Sequence, residues 1–171
     1  MSEQMDPSHL VDPASEVLGE EAFRHVLTRE TSRATRYQDF FSVCLVRPDG
    51  LAPGNGVDEE LQLVLSRKIA EFLRSTDVVG RLHDGIAVLL LHTASTEALR
   101  VAERIRSHIE YVSFPTGPGG APQRLTLSVG EVSFPRDGYN DKVLLARAQT
   151  LLQEAARRGG NQVVHAGESD V

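Results

Sequence analysis

The spacing of apolar residues along the chain predicts both helices and strands. Four segments repeat apolar residues every three to four positions, as one face of a helix requires. These predicted helices cover residues 20–37, 58–73, 96–109 and 141–158. Between them lie short runs of apolar and β-branched residues, which are typical of buried strands. These predicted strands cover residues 40–46, 77–82, 86–91, 125–134 and 162–165.

The order of these elements, α-β-α-β-β-α-β-α-β, predicts the fold class. Helices that alternate with strands, with a hairpin in the middle, indicate an α+β sandwich around one mostly antiparallel sheet. The hairpin is predicted at His83-Asp84-Gly85, since Asp-Gly is a strong signal for a tight turn. Loops rich in Gly and Pro are predicted at 48–57 and 113–123.

Length, charge and cysteine content narrow the class of protein. The 171 residues suit one domain, which we expect at 12–166, with a flexible lead at 1–11 and a tail at 167–171. The net charge of −6 argues against nucleic-acid binding, and no apolar run reaches the ~20 residues that a membrane span needs. Cys44 is the only cysteine, which excludes an intramolecular disulfide and a thiolate zinc cluster. We therefore expect a cytoplasmic protein.

Several segments carry a family resemblance through their order and spacing. They are Asp12 to Phe23, Ala102-Glu103-Arg104-Ile105-Arg106, Leu127-Ser128-Val129-Gly130, Phe134-Pro135-Arg136-Asp137-Gly138 and Ala148 to Asn161. With these segments, the chain resembles the GGDEF family of diguanylate cyclases from Asp12 to Val164. The resemblance implies the palm-like fold of nucleotidyl cyclases and a role in signalling by cyclic di-GMP, which the family's enzymes make from GTP.

The residues at the positions of the family's catalytic groups differ from the family pattern. By the resemblance, the metal-binding aspartate corresponds to Arg47, and the lysine and arginine that contact the triphosphate correspond to Ala156 and Gly160. The signature sequence is replaced by Leu82-His83-Asp84-Gly85-Ile86. Since the reaction needs metal ions and phosphate-binding cations, we expect a degenerate GGDEF domain with no enzyme activity, no cofactor and no bound metal.

Four residues near these catalytic positions have interpretations that involve no catalysis. Asp49 is expected to cap its own turn with Gly50, and Asp84 to serve the hairpin turn. Asn55 is the only remnant of the family's guanine-recognising segment. Arg157 is expected to point away from the triphosphate position, since neighbours on a helix differ by ~100°.

A second site is predicted at Arg74, Asp77 and Arg104. Arg74-Ser75-Thr76-Asp77 matches the R-x-x-D motif by which many family members bind cyclic di-GMP at an inhibitory site, and Arg104 falls on the position of a supporting arginine. Arginine can hydrogen-bond the guanine edge and the phosphates, and a carboxylate can accept from guanine N–H groups. An alternative of equal weight is that Arg74 ends a helix, where a cation is favoured, and that Asp77 begins a strand.

These observations leave three functions open. The first is a regulatory receptor for cyclic di-GMP. The second is a nucleotide-independent scaffold that binds a protein partner through the loops 48–57 and 113–123. The third is an altered cyclase that uses Asp49 and Asp84. The expected partners are a protein and cyclic di-GMP, with a second copy of the chain considered for a homodimer.

Overall fold

The computed structural model describes residues 11–12, 17–50, 56–114 and 119–168. Four helices form in these segments: α1 (Glu20–Tyr37), α2 (Glu59–Ala70), α3 (Ser95–Ile109) and α4 (Asp141–Arg157). The strands in the same segments are β1 (Val11–Asp12), β2 (Val17–Leu18), β3 (Phe41–Pro48), β4 (Val78–Leu82), β5 (Gly85–Leu91), β6 (Ser113–Phe114), β7 (Gln123–Arg124), β8 (Leu127–Phe134) and β9 (Gln162–His165).

Seven strands form one mixed sheet in the order β1-β2-β4-β5-β3-β8-β9. The central strand β3 pairs antiparallel with β5 and β8, and β4 and β5 form an antiparallel hairpin. The parallel pairs are β2 with β4 and β8 with β9. The predicted α+β sandwich with a mostly antiparallel sheet is therefore confirmed.

Two helices cover each face of the sheet. One core packs α1 and α4 against the sheet, and the other packs α2 and α3 against the opposite face. Alternate residues of β3 enter the two cores, which is why this strand is apolar at nearly every position. Covering both faces leaves the ends of the strands as the place where polar groups can gather.

Two helices begin at side-chain caps that their sequences supply. The Asp58 carboxylate accepts a hydrogen bond from the backbone nitrogen of Leu61 and so caps α2. The Asn140 side chain accepts one from the backbone nitrogen of Val143 at 2.9 Å and starts α4 in the same way. The chain segments that follow α2 and α4 both border candidate functional sites.

The structure differs from the sequence prediction in its small strands and in β8. The strands β1, β2, β6 and β7 have two residues each, which is too short for a recognisable period. The strand β8 begins at Leu127, two residues later than predicted, and every residue in it is buried because α3 and α4 cover its two faces. Residues 1–10, Asn55 and 169–171 lie outside the described residues. In the described part, no helix is both long enough and apolar enough to cross a bilayer.

Candidate functional site

A cleft of about 730 Å³ opens where β3 ends, between the β4–β5 turn and the last turns of α4. Arg47 and Asp49 lie on the β3 side, and Asp84 lies at the β4–β5 turn. The opposite wall is formed by α4 and the loop after it, and it carries Arg157. The cleft thus brings together two carboxylates and two guanidinium groups from three distant parts of the chain.

The Asp49 carboxylate connects β3 to two other segments. It accepts hydrogen bonds from Thr126 Oγ1 and Ser128 Oγ, each at 2.6 Å, and from the backbone nitrogen of Asn161 at 2.8 Å. The prediction that Asp49 caps its own turn with Gly50 is wrong, since these partners are 77 to 112 residues away in sequence. These donors occupy most of the acceptor positions of the carboxylate.

The donor set of the cleft does not suit the divalent metal that the family resemblance implies. Asp49 already accepts hydrogen bonds from three donors, and the guanidinium group of Arg47 lies in the same cleft. Of the two carboxylates in the cleft, Asp84 is therefore the one better placed to bind a metal ion. Across the described segments, no group of three or more His, Cys, Asp or Glu side chains is arranged to hold a metal ion. The arginines match phosphate groups better than these carboxylates match a metal.

The β4–β5 turn is held from the neighbouring helix. His83 and Asp84 form the turn, with Leu82 paired to Gly85. The buried side chain of Gln62 on α2 donates from Nε2 to the backbone oxygens of both Leu82 and Gly85, the latter at 2.7 Å. This contact fixes the turn and with it the position of Asp84 at the edge of the cleft.

The position of Arg157 on α4 differs from the one predicted from the helical period. Arg157 lines the cleft, with its side chain 77% exposed and paired with Glu154, so the prediction that it points elsewhere is wrong. Ala156 and Gly160, which stand at the family's cation positions, line the same cleft. At Gly160, φ is 73° and a β-carbon would lie 2.7 Å from the Asp49 carboxylate, so the fold requires glycine there.

The structure places Arg74 and Asp77 together in the turn after α2. The Asp77 backbone nitrogen donates to the Arg74 oxygen at 3.0 Å, and Asp77 Oδ2 accepts from the Arg74 nitrogen at 2.9 Å. The Arg74 guanidinium group donates to the Leu91 oxygen and to Thr93 Oγ1. The Asp77 side chain is 3% exposed, whereas that of Arg74 is 59% exposed. Arg74 can therefore reach a ligand, while Asp77 holds the turn.

Arg104 lies in a separate groove of about 860 Å³ on the outer side of α3. Its guanidinium carbon is 5.9 Å from the centre of the Phe72 ring, and the exposed Tyr111 lines the same groove. Among the described residues, Arg74 and Asp77 do not line this groove. Phe72 precedes Arg74 by two positions in the chain and so connects the groove to the turn.

Sequence reasoning missed two polar residues that organise these sites. Gln62 interrupts the apolar stripe of α2, and a polar residue at a buried helical position is the signal that could have found it. Asn161 has φ 52° and follows two glycines with positive φ, so the Gly-Gly-Asn run itself marks a left-handed backbone. The partners of both residues lie far away in sequence, which no local pattern reveals.

Comparison with known proteins identifies a family that matches most of the chain. The family model described as diguanylate cyclase, GGDEF domain, matches residues 9–162. The response regulator PleD of Caulobacter vibrioides is 30% identical over 112 residues, which cover 65% of this chain and 25% of PleD. The diguanylate cyclase DosC of Escherichia coli is 29% identical over 160 residues, which cover 90% of this chain and 34% of DosC. The chain thus spans between a quarter and about a third of these relatives.

Solved structures show the same architecture. The GGDEF domain of PA1120 (YfiN or TpbB) from Pseudomonas aeruginosa has a TM-score of 0.76 at 22% identity, covering 89% of this chain and 98% of that one. The GGDEF domain of DgcB from Caulobacter crescentus, solved in complex with c-di-GMP, has a TM-score of 0.72 at 16% identity, covering 92% of this chain and 93% of that one. At these identities the likeness concerns the fold.

These comparisons contradict the expectation that the chain is an inactive pseudo-diguanylate cyclase. Its relatives include DosC, which is named a diguanylate cyclase and matches 90% of this chain. At 29% identity most positions differ from that enzyme, so the replacements at Arg47, Ala156 and Gly160 do not demonstrate lost chemistry. The position-by-position comparison of residue types with the family pattern also overlooked Arg157, which the fold brings into the cleft. The chain belongs to the GGDEF domain family and is a signalling domain of cyclic di-GMP metabolism.

Proposed function

We propose that this GGDEF domain binds cyclic di-GMP through Arg104 and Arg74, beside the groove on α3. The observation that carries the proposal is the position of Arg104 over Phe72 in a groove of about 860 Å³, next to the turn that holds Arg74. A volume of this size is typical of small-molecule sites. The crystallised DgcB domain holds c-di-GMP, which supports the choice of ligand.

The groove offers the groups that a cyclic dinucleotide needs. Arginine donates two parallel hydrogen bonds to the guanine edge or to a phosphate, and aromatic rings stack on bases. Arg104 and Arg100 supply the cations, and Phe72 and Tyr111 supply the rings. A dianionic, two-base ligand matches this mixture better than a simple anion does.

Asp77 acts on the ligand through Arg74. Its carboxylate is almost completely buried, and it accepts the Arg74 backbone N–H while lying 3.5 Å from Arg74 Nε. Its Oδ1 atom has no hydrogen-bond partner among the described residues. Asp77 therefore serves as the positioning residue for Arg74, and the arginines make the ligand contacts.

Calorimetric titration with cyclic di-GMP tests this proposal. Arg104→Ala and Arg74→Ala should each weaken binding by about one to two decades, since a charge-assisted hydrogen bond contributes roughly 1.5–3 kcal/mol. Arg157→Ala, in the β3 cleft, is the matched control and should leave the affinity unchanged. Binding that survives both Arg104→Ala and Arg74→Ala would contradict the proposed site. A complete lack of binding by the unmodified domain would favour the protein-scaffold function.

A second candidate function is the binding of a guanine nucleoside triphosphate in the β3 cleft. The observation that favours it is the convergence of Arg47 and Arg157 on a cleft that also holds Asp84. Two guanidinium groups facing one cleft suit a polyphosphate, and a carboxylate at its edge can accept guanine N–H groups. DosC is named a diguanylate cyclase, which supports a guanine nucleotide as the ligand.

Titration with GTP and magnesium, followed by analysis of the products, tests this second function. We expect GTP to bind and Arg157→Ala to weaken it, with Arg104→Ala as the control that leaves it unchanged. Formation of cyclic di-GMP in the same samples reports directly whether the bound nucleotide is condensed. Equal GTP affinity for the unmodified domain and Arg157→Ala would contradict the placement in the cleft.

A further inference from the structure

The loop between α4 and β9 is held from two sides by one residue, Asn161. Its backbone nitrogen donates to Asp49 Oδ2 at 2.8 Å, on the side of the cleft. Its side chain accepts from Arg106 Nη1 at 2.7 Å and donates to Glu110 Oε1 at 3.1 Å, both on the α3 side of the loop. Asn161 therefore connects the floor of the β3 cleft with a helix that does not itself line that cleft.

The backbone of this loop leaves little room for adjustment on the cleft side. Gly159, Gly160 and Asn161 all have positive φ, at 114°, 73° and 52°. Gly160 lies directly against the Asp49 carboxylate, where a β-carbon would clash. The loop follows Arg157 after only a few residues, so its position also determines where the end of α4 faces the cleft.

The α3 side of the connection is held by ion pairs around a largely buried guanidinium group. The Arg106 side chain is 15% exposed and is paired with Glu103 and with Glu110. Its hydrogen bond to Glu103 raises the pKa of the Arg106 guanidinium group above its usual value. The Asn161 amide is thus bonded to a fixed cation and a fixed carboxylate, which are stronger partners than neutral groups.

We propose that Asn161 is a positioning residue for the nucleotide cleft, and that Arg106 acts on the cleft through it. The two side-chain bonds fix the loop so that its N–H holds the Asp49 carboxylate and the end of α4 presents Arg157. This inference rests on the second candidate function, nucleotide binding in the β3 cleft. A loop that is fixed before binding does not have to be ordered by the ligand, which improves affinity.

Asn161→Gly removes the side-chain bonds, and Arg106→Gln tests the same connection without adding a third consecutive glycine to the loop. Glycine keeps the left-handed backbone and the N–H bond to Asp49 but removes both bonds to the α3 side. We expect the affinity for GTP, measured by calorimetry, to fall roughly tenfold, as expected for the loss of a hydrogen bond to a charged group. Arg106→Gln should produce a similar loss. The double variant should lose much less than the sum of the two, since both changes break one connection.

The control is Asn140→Ala, which removes a cap at the far end of α4. It should lower the melting temperature without changing GTP affinity, and cyclic di-GMP binding at the α3 groove should survive in Asn161→Gly. If Asn161→Gly and Arg106→Gln lower the melting temperature while GTP binds as before, Asn161 is merely structural and the inference is overturned. If the unmodified domain binds no GTP, both the cleft function and this inference are overturned.

Discussion

The carboxylate of Asp49 lies against the α-carbon of Gly160, so closely that a β-carbon at residue 160 would be 2.7 Å from the carboxylate. This contact joins the end of β3 to the loop after α4 and closes one side of the cleft. The family pattern places an arginine at this position, and no side chain fits here while Asp49 keeps its bonds to Thr126 and Ser128.

Gly160→Ala should lower the free energy of unfolding by about 2–4 kcal/mol, since it adds a steric clash to a strained backbone angle. The matched control is Gly119→Ala, because Gly119 has φ 79° but no atom lies within 4 Å of the point that its β-carbon would occupy. That variant should cost about 1 kcal/mol, which is the backbone contribution alone. Urea unfolding measures both, and equal losses would show that the contact with Asp49 is unimportant.

Gln62→Leu should destabilise the domain and release the β4–β5 turn. The substitution leaves the backbone oxygens of Leu82 and Gly85 without their donor, at a cost of about 1–3 kcal/mol for each buried unsatisfied group. Hydrogen exchange at His83 and Asp84 should speed up more than exchange in α4. Gln153→Leu, an exposed change on another helix, is the control and should shift stability by less than about 0.5 kcal/mol.

Glu131 should make stability depend on pH. Its side chain is fully buried on β8 and accepts hydrogen bonds from Ser95 and Ser133, with Asp137 and His165 as neighbouring titratable residues. Burial raises the pKa of this carboxyl above its ordinary 4.5. The folded state therefore keeps a proton that the unfolded chain releases, so this contribution is complete below about pH 4.5 and is lost as pH rises through the raised pKa.

Glu131→Gln removes this titration and should flatten the pH profile of unfolding above pH 4.5. Urea unfolding at a series of pH values measures the slope. Glu97→Gln, at an exposed position on α3, should keep the slope of the unmodified protein. An unchanged slope in Glu131→Gln would mean that another group is responsible.

Phe72→Ala should weaken cyclic di-GMP binding by about tenfold, because it removes a stacking surface and the ring beneath Arg104. Calorimetry at a temperature where both proteins are folded measures the change. Phe40→Ala is the control, since Phe40 is an exposed phenylalanine that packs against His92, away from the groove. Equal affinity of Phe72→Ala and the unmodified domain for cyclic di-GMP would show that the ligand does not bind in this groove.

Local sequence patterns were enough to define the main secondary structure and the class of fold. The helical period of α1, the apolar run of β3 and the Asp-Gly turn after β4 each depend on neighbouring residues alone, and such patterns decide which elements form. The family resemblance at Leu127-Ser128-Val129-Gly130 and its neighbouring segments then identified the GGDEF family, which the match to the family model confirms. The two-residue strands β1 and β2 escaped prediction because they form only when a partner strand is present.

The roles of the polar residues in the sites depend on tertiary packing instead. Asp49 has the sequence context of a turn cap, but its hydrogen bonds go to residues at least 77 positions away. Arg157 faces the cleft because β3 ends beside α4, which the phase of a single helix cannot reveal. Asn161 joins α3 to β3 through contacts that depend on the packing of separate segments. The sequence determines the chemistry of each side chain, whereas the packing of the sheet and helices determines which partner each polar group contacts.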